Sequence, residues 1–253
     1  MSDDLSSWAA ALKAAIARDR PRIVDRVVVL AEVASTQDEA RARAAGRPGL
    51  LVIAARQTAG RGRLGRAWLD AEGEGLAATF ALAAPAPSAQ GRVSIAAGLA
   101  ACRACESAIA APLRLRWPND VVAPDGRKLA GVLIEARDGL LLVGIGINVR
   151  QTAFPPTLAA ASLHQLGSSW SRADASLALL RELDACLALG DADLLREWTA
   201  RDALRGTRRT FLHNGIRHTG LVESISPAAE ICLRLDDGRS LSLPAATTSL
   251  LHE

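Results

Sequence analysis

Gly60-Arg61-Gly62-Arg63-Leu64-Gly65-Arg66-Ala67-Trp68 holds the densest concentration of chemistry-bearing residues in the chain. Its glycines let a backbone approach an anion closely and adopt positive φ without steric cost. Arg61, Arg63 and Arg66 add planar, permanently charged donors suited to a carboxylate or a phosphate. Like charges on so pliant a segment repel one another, so the segment is expected to stay mobile until an anion neutralises it. It reads as a loop that closes over a phosphorylated or carboxylated ligand; a solvated basic turn is the plainer alternative. Gly60-x-Gly62-x-x-Gly65 also matches the dinucleotide fingerprint, but that motif needs a helix directly after it. Here Trp68-Leu69-Asp70 and a Glu/Gly-rich turn lead to a strand pattern instead, and no Gly-Lys-Ser/Thr follows to make a Walker A loop.

Four other segments carry candidates. In Arg116-Trp117-Pro118-Asn119-Asp120, the proline forces Trp117 extended, so the Asn119 amide and the Asp120 carboxylate project from a rigid strand end. Such a pair can hold Mg²⁺ or nucleotide hydroxyls, or it can form an Asx turn in a hairpin. Lys128 stands at the mouth of the apolar run Leu129-Ala130-Gly131-Val132-Leu133, placed either to meet an anion or to be solvated. Gly144 and Gly146 interrupt an apolar strand pattern, which marks close approach by a ligand or another backbone, and Asn148 ends that strand with donor and acceptor groups. Ser35-Thr36-Gln37 precedes Asp38 and Glu39 as a capping box would, yet its hydroxyls and amide also suit the polar head of a small ligand.

The elements that must position these groups follow from periodicity. Leu5 to Arg18 reads as an amphipathic helix, and Arg26 to Leu30 and Leu50 to Ala54 as buried strands flanking a helix from Ser35 to Ala45. Leu76 to Leu82 is a third strand, and Gly91 to Ala111 a long alanine-rich helix. Leu113 to Trp117 and Leu129 to Glu135 alternate, with Asp125-Gly126 as a hairpin-type turn between them, and Leu140 to Val149 is a further strand. Two helical patterns run from Ala173 to Leu189 and from Asp191 to Leu204. Beyond Gly206, short strands at Arg209–Leu212, Arg217–Ser224, Glu230–Leu235 and Ser240–Leu243 are spaced by Asn214-Gly215 and Asp237-Gly238, the pattern of a small β-barrel of about fifty residues. Strands cluster rather than alternate strictly with helices. The expected class is therefore α+β, with a mixed central sheet and flanking helices in residues 1–205 and a small β domain in residues 206–253.

Composition bounds the rest. The chain has 253 residues, 49% hydrophobic and 23% charged, with a net charge of +3, so no global field calls for nucleic acid. No apolar run is long enough to span a bilayer, and the acidic N-terminus is unlike a secretory signal, which predicts a cytoplasmic protein. Cys102 and Cys105 form a C-x-x-C, but no partner motif follows, and both read as packing residues of the long helix.

Taken in order, the Ser-Thr-Gln element, Gln57 before the loop, the GRGRxGRxW string, the WPND turn, the KLAGxLxE run and GxGxN resemble the biotin–protein ligases over about Ala34 to Asn148. The resemblance implies a catalytic domain related to class II aminoacyl-tRNA synthetases followed by an SH3-like tail. It implies a monofunctional enzyme without the N-terminal DNA-binding domain of some members, and hence no specific DNA binding and no membrane. Biotin and MgATP would give biotinyl-5′-AMP, which a lysine of a biotin carboxyl carrier domain then attacks, with no tightly bound cofactor. By the same resemblance Lys128 and Arg63 are catalytic, and Ser35, Thr36, Gln37, Gln57, Arg61, Gly62, Arg63, Lys128, Gly131, Leu133, Gly144 and Gly146 seat biotin. Arg63, Arg66, Asn119, Asp120, Lys128 and Asn148 face ATP, with Asp120 on Mg²⁺. Two departures stand out: Gln37 replaces the usual Asn, and no Trp lies between Asn148 and Leu163, where Phe154 is the available aromatic. A monomer or homodimer is expected; a lipoyl or octanoyl transferase or ligase, and a non-catalytic biotin sensor or nucleic-acid-binding regulator, are the competing readings.

Overall fold

The computed structural model describes residues 4–69 and 74–251; the Glu/Gly-rich turn after Asp70 lies mostly outside them. The first elements are α1 (Leu5–Asp19), β1 (Arg26–Val33), α2 (Thr36–Ala44), β2 (Leu50–Gln57) and β3 (Gly75–Ala83). They are followed by α3 (Gln90–Glu106), β4 (Arg114–Arg116), β5 (Asp120–Val122), β6 (Lys128–Arg137) and β7 (Leu140–Asn148). These seven strands form one sheet in the order β1-β2-β3-β7-β6-β5-β4. β1 and β2 run parallel, which requires a crossover, and α2 provides it; the remaining neighbours are antiparallel. The sheet is mixed, as the clustering of strands predicts.

Alternation along β7 explains where the site lies. Leu141, Val143, Ile145 and Ile147 point into the main core with Leu99, Phe80 and Trp198, beneath α3, α4 (Arg172–Ala188) and α5 (Asp191–Arg201). On the opposite face, Leu140 and Leu142 pack under α2 with Ala40, Ala44 and Val52. The next two residues on that face are Gly144, over which only the Gln37 side chain of the first turn of α2 reaches, and Gly146, which faces Trp68 instead. Helix cover therefore gives way to bare backbone within a single strand.

The remaining strands, β8 (Arg208–His213), β9 (Ile216–Ile225), β10 (Glu230–Arg234), β11 (Ser240–Pro244) and β12 (Thr248–Leu250), form a second sheet in the order β11-β10-β9-β8-β12. Asn214 and Gly215 both take positive φ (48° and 80°), as the two-residue hairpin between β8 and β9 demands. Four expectations need correction. Asp125-Gly126 does not join the two alternating runs directly, because the three-residue β5 intervenes between the Trp117–Asn119 turn and that hairpin. The long helix stops at Glu106, and α5 stops at Arg201. Ser35 caps α2 by accepting from Gln37 N, but no reciprocal box forms: Asp38 pairs with Arg61 and Glu39 with Arg43.

The two sheets meet through α3 and the turn that begins at Trp117, just after β4. Trp117 Nε1 donates to Ala229 O at 2.9 Å, and the Trp117 ring meets Phe211 edge-on at 5.7 Å. At Gly91, in the first turn of α3, an added Cβ would lie 2.0 Å from Ala228 O. Gly91→Ala is therefore expected to destabilise the fold by about 1–3 kcal/mol. Calorimetry should read this as a Tm lower by about 3–10 °C; an unchanged Tm would show that the junction yields. Cys102, Cys105 and Cys186 are buried thiols, and burial pushes the Cys102 and Cys186 pKa up to about 12, away from any redox or ligand role at neutral pH.

Candidate active site

Where α2 leaves the sheet uncovered, a cavity of about 1010 Å³ opens over the face of β3, β7 and β6. Its floor is Ala77, Gly144, Gly146, Gly131 and Leu133, which stand in register: Ala77 opposite Gly146, Gly146 opposite Gly131, and Gly144 opposite Leu133. The glycines strip the floor to backbone, as their positions inside an apolar run imply. A Cβ at Gly146 would lie 2.4 Å from Trp68 Cζ2, and one at Gly144 would lie 2.7 Å from Gln37 Nε2.

One end is built by the start of α2. Thr36 N and Oγ1 donate to Gln57 Oε1 at 2.7 and 3.0 Å, and Thr79 Oγ1 donates to Thr36 Oγ1 at 2.9 Å. Gln37 Nε2 reaches across to Leu133 O at 3.1 Å, while its buried Oε1 has no hydrogen-bond partner among the described residues. Ser35, Thr36 and Gln37 are all buried, so this end offers neutral hydroxyl and amide groups held rigid by one another.

The opposite wall is ionic. Lys128 Nζ lies 2.6 Å from Asp120 Oδ1, and Arg116 Nη2 lies 3.0 Å from Asp120 Oδ2. Adjacency of β5 and β6 brings them together, with Val122 opposite Lys128 in the register. The Lys128 ammonium also stands 5.7 Å from the centroid of the Trp68 ring. Asn119 Nδ2 donates to Val132 O at 2.8 Å, which fixes the turn. Asn148 Nδ2 donates to Lys128 O at 3.3 Å and to Ala161 O at 3.0 Å, tying the start of β6 to Ala161.

The basic loop forms the roof, and its arginines have different partners. Arg61 grips Asp38 with two bonds of 2.7 and 2.8 Å and lies 3.7 Å from Glu135; that hydrogen bonding holds the Asp38 carboxyl below its usual range. Arg63 turns inward: its Nη2 donates to Ala245 O and to Thr248 O, and its Nη1 reaches Asn119 Oδ1 at 3.4 Å. Burial lowers the Arg63 pKa, and the nearby Asp120 charge opposes that effect. Arg66 is exposed, and its guanidinium has no hydrogen-bond or ion-pair partner among the described residues, although its backbone bonds Gly62 and Arg63. Arg61 and Arg63 thus find partners on separate elements, while the Arg66 charge still repels that of Arg63.

Every residue assigned to biotin or ATP from the sequence lines this one cavity. A pocket with a neutral polar end and a cationic end, over a floor without side chains, suits an amphiphilic acid joined to a phosphorylated partner. Residues 31–151 match the Biotin/lipoate A/B protein ligase family. The chain is 35% identical over 230 residues to the biotin–[acetyl-CoA-carboxylase] ligase of Mycobacterium tuberculosis, covering 86% of each. The chain belongs to the biotin–protein ligase family. The corresponding Paracoccus denitrificans enzyme is 31% identical, with 86% of this chain and 98% of that one covered. The structure of Aquifex aeolicus biotin protein ligase in complex with biotin and ATP superposes with a TM-score of 0.79 at 28% identity, over 90% of this chain and all of that one. A bifunctional ligase/repressor of Bacillus spizizenii matches at 36% over 118 residues, which is 36% of its own length.

Some residues of this ligase's cavity carried no assignment from the sequence. Trp68 roofs Gly131 and Gly146, Arg116 shares Asp120 with Lys128, and Gln151, Ala153, Pro155 and Thr157 to Ala160 form a side wall together with Phe154, the aromatic already noted in the sequence. Ser249 and Leu250 of β12 also line it. Two glycines spaced to admit a large ring were the legible trace of Trp68; the β12 residues left none. Among the described residues no helix is long and apolar enough to cross a membrane.

Proposed function

We propose that this cavity joins biotin to ATP and passes the biotinyl group to a lysine of a biotin carboxyl carrier domain. The observation that carries the proposal is the convergence of Lys128, Arg63, Arg66 and Arg116 on one side of a glycine floor, opposite the neutral Ser35–Gln37 end. In the first step a biotin carboxylate oxygen bonds to the α-phosphorus of ATP and pyrophosphate leaves. In the second, the carrier lysine's amine attacks the biotinyl carbonyl, AMP departs with the bonding pair and the amine gives up its proton. The barrier to the first step is largely repulsion between two anions, so fixed cations in a site shielded from water lower it.

In this scheme Ser35, Thr36, Gln37 and Gln57 hold the polar ring of biotin, and Gly131, Leu133, Gly144 and Gly146 make its bed. Lys128 and Arg63 neutralise the reacting carboxylate and phosphate; Arg66 and Asn119 face the polyphosphate. Arg61 and Gly62 shield the intermediate, because Arg61 already bridges the loop to α2 through Asp38. Asn148 acts by holding Lys128 through its backbone carbonyl. Asp120 alone does not make a magnesium cage: its two oxygens face Lys128 and Arg116, and among the described residues no group of three His, Cys, Asp or Glu side chains could hold a metal. Magnesium would accordingly arrive with the nucleotide as MgATP, the usual state of a nucleotide substrate.

The same reading takes residues 1–205 as a catalytic unit related to class II aminoacyl-tRNA synthetases and residues 206–253 as an SH3-like barrel. The five antiparallel strands and tight hairpins of the second sheet support that assignment. The direct test supplies the protein with biotin, MgATP and an unmodified carrier domain and follows labelling of one carrier lysine by streptavidin blot and mass spectrometry. Labelling that needs both biotin and ATP is expected. Equal transfer of lipoate would overturn the substrate assignment, and no transfer of either would overturn the activity.

A further inference from the structure

A ligase that activates biotin makes a reagent to which its own surface is exposed. A free amine attacks the carbonyl carbon of the biotinyl–phosphate anhydride and an amide forms. The bond to the phosphate oxygen breaks, AMP leaves with the electron pair, and the amine gives up a proton to water. Any accessible lysine meets that description, whether on the carrier or on the enzyme. Yet of the 30 lysine and arginine residues in this chain only Lys13 and Lys128 are lysines. A guanidinium stays protonated and has no lone pair to offer, so every other basic side chain of the two types is inert to acylation.

Other nucleophiles are scarce or shut away. The chain has no tyrosine, and of its four cysteines Cys102, Cys105 and Cys186 are buried. Lys128 is bound into the 2.6 Å ion pair with Asp120, so its nitrogen meets a carbonyl only by leaving that carboxylate. Around it, Arg61, Arg63, Arg66 and Arg116 supply every other cationic side chain of the cavity lining among the described residues. Structure does not call for arginine at the outer positions. Arg41, Arg43 and Arg47 each reach one carboxylate through one nitrogen, at exposed sites where an ammonium would serve equally. Lys13 stands apart from this pattern. It is exposed on α1, beside the buried Leu12 that pins the helix to the core, and has no ion-pair partner among the described residues.

We propose that the near-absence of lysine shields this enzyme from its own activated biotin, and that Lys13 is the one side chain it modifies on itself. The proposal rests on the ligase reading above and adds to it a self-modification site. Anhydride that escapes past the exposed Arg66 crosses a surface of guanidinium groups and is consumed by the carrier or by water. The cations needed to hold two anions together are thereby supplied without supplying competing acceptors.

The test incubates the full-length protein with biotin and MgATP, without any carrier. It follows AMP release together with the biotin found on the chain by intact mass and peptide mapping. Side-chain label is expected at Lys13 alone, and Lys13→Arg should leave none beyond the N-terminal amine. Arg66→Lys, at the cavity mouth, should gain label at residue 66 about tenfold or more above that at Lys13 per AMP released, because the new amine meets the anhydride before it is diluted. Arg43→Lys, on the exposed side of α2, should gain label at residue 43 about equal to that at Lys13. Label at Lys128, a hydroxyl or an imidazole that matches the label at Lys13 overturns the proposal. So does AMP release with no added label in both Arg66→Lys and Arg43→Lys. The N-hydroxysuccinimide ester of biotin supplies the same acyl group without catalysis; it should modify Lys13 in the folded wild type and reach Lys128 only in urea. Modification of Lys128 as fast as Lys13 in the folded protein overturns the proposal too. A wild type that releases no biotin-dependent AMP strikes at the ligase reading, while the ester still reports which side chains accept, so the two failures remain distinct.

Discussion

Lys128→Ala should lower biotin-dependent exchange of pyrophosphate into ATP by about 10²–10³-fold, the loss seen when one charge-stabilising donor is taken from a preorganised site. The ammonium stands between Asp120 and the Trp68 ring at the open end of β6, where the cavity brings the other cations together. Stability should change little. Asp120 keeps Arg116 at 3.0 Å after the change, so no buried carboxylate is left without a partner. Lys128→Arg should recover only part of the activity, because a planar fork does not reproduce a compact point charge on the same backbone. Exchange within tenfold of the wild type in the alanine variant would remove Lys128 from the catalytic centre.

Gly146→Val should weaken biotin binding by about 10²-fold in calorimetric titration, with the fold retained. The first added carbon alone would stand 2.4 Å from the Trp68 indole, so the ring must leave and carry the end of the basic loop with it. Trp68 N donates to Gly60 O at 2.9 Å, which couples the ring's place to the closure of the whole loop. The strand itself survives, since Gly146 faces Ala77 and Gly131 through backbone bonds that a side chain does not break. Gly131→Ala offers the graded comparison. Its nearest atoms are the movable end of Lys128 at 3.0 Å, and a smaller loss, about tenfold, is expected. Equal affinities in wild type and Gly146→Val would show that the floor is not the ligand bed.

What could be read from the sequence was whatever local spacing determines. The basic glycine loop, the Asn119-Asp120 turn, Lys128 and the glycines of β7 each announce themselves by residue type within a few positions, and all line one cavity. The central strands and helices follow from apolar runs and alternation. What stayed hidden depends on partners distant in the chain. The Asp38 carboxylate looks like half of a capping box until Arg61 takes it from 23 residues away. β5 escapes notice because three residues between Pro118 and Pro124 are too short a run to show a period. The bonds from Arg63 to Ala245 and Thr248 use main-chain oxygens, and a main-chain oxygen has no signature in residue type.

Those two carbonyls have a consequence for biosynthesis. The seven-stranded sheet is complete once Asn148 has been made, yet the acceptors that hold the inward arginine come a hundred residues later, in the last turn and strand of the second sheet. A domain that folds as it leaves the ribosome would therefore have its glycine floor early and its anchored guanidinium last.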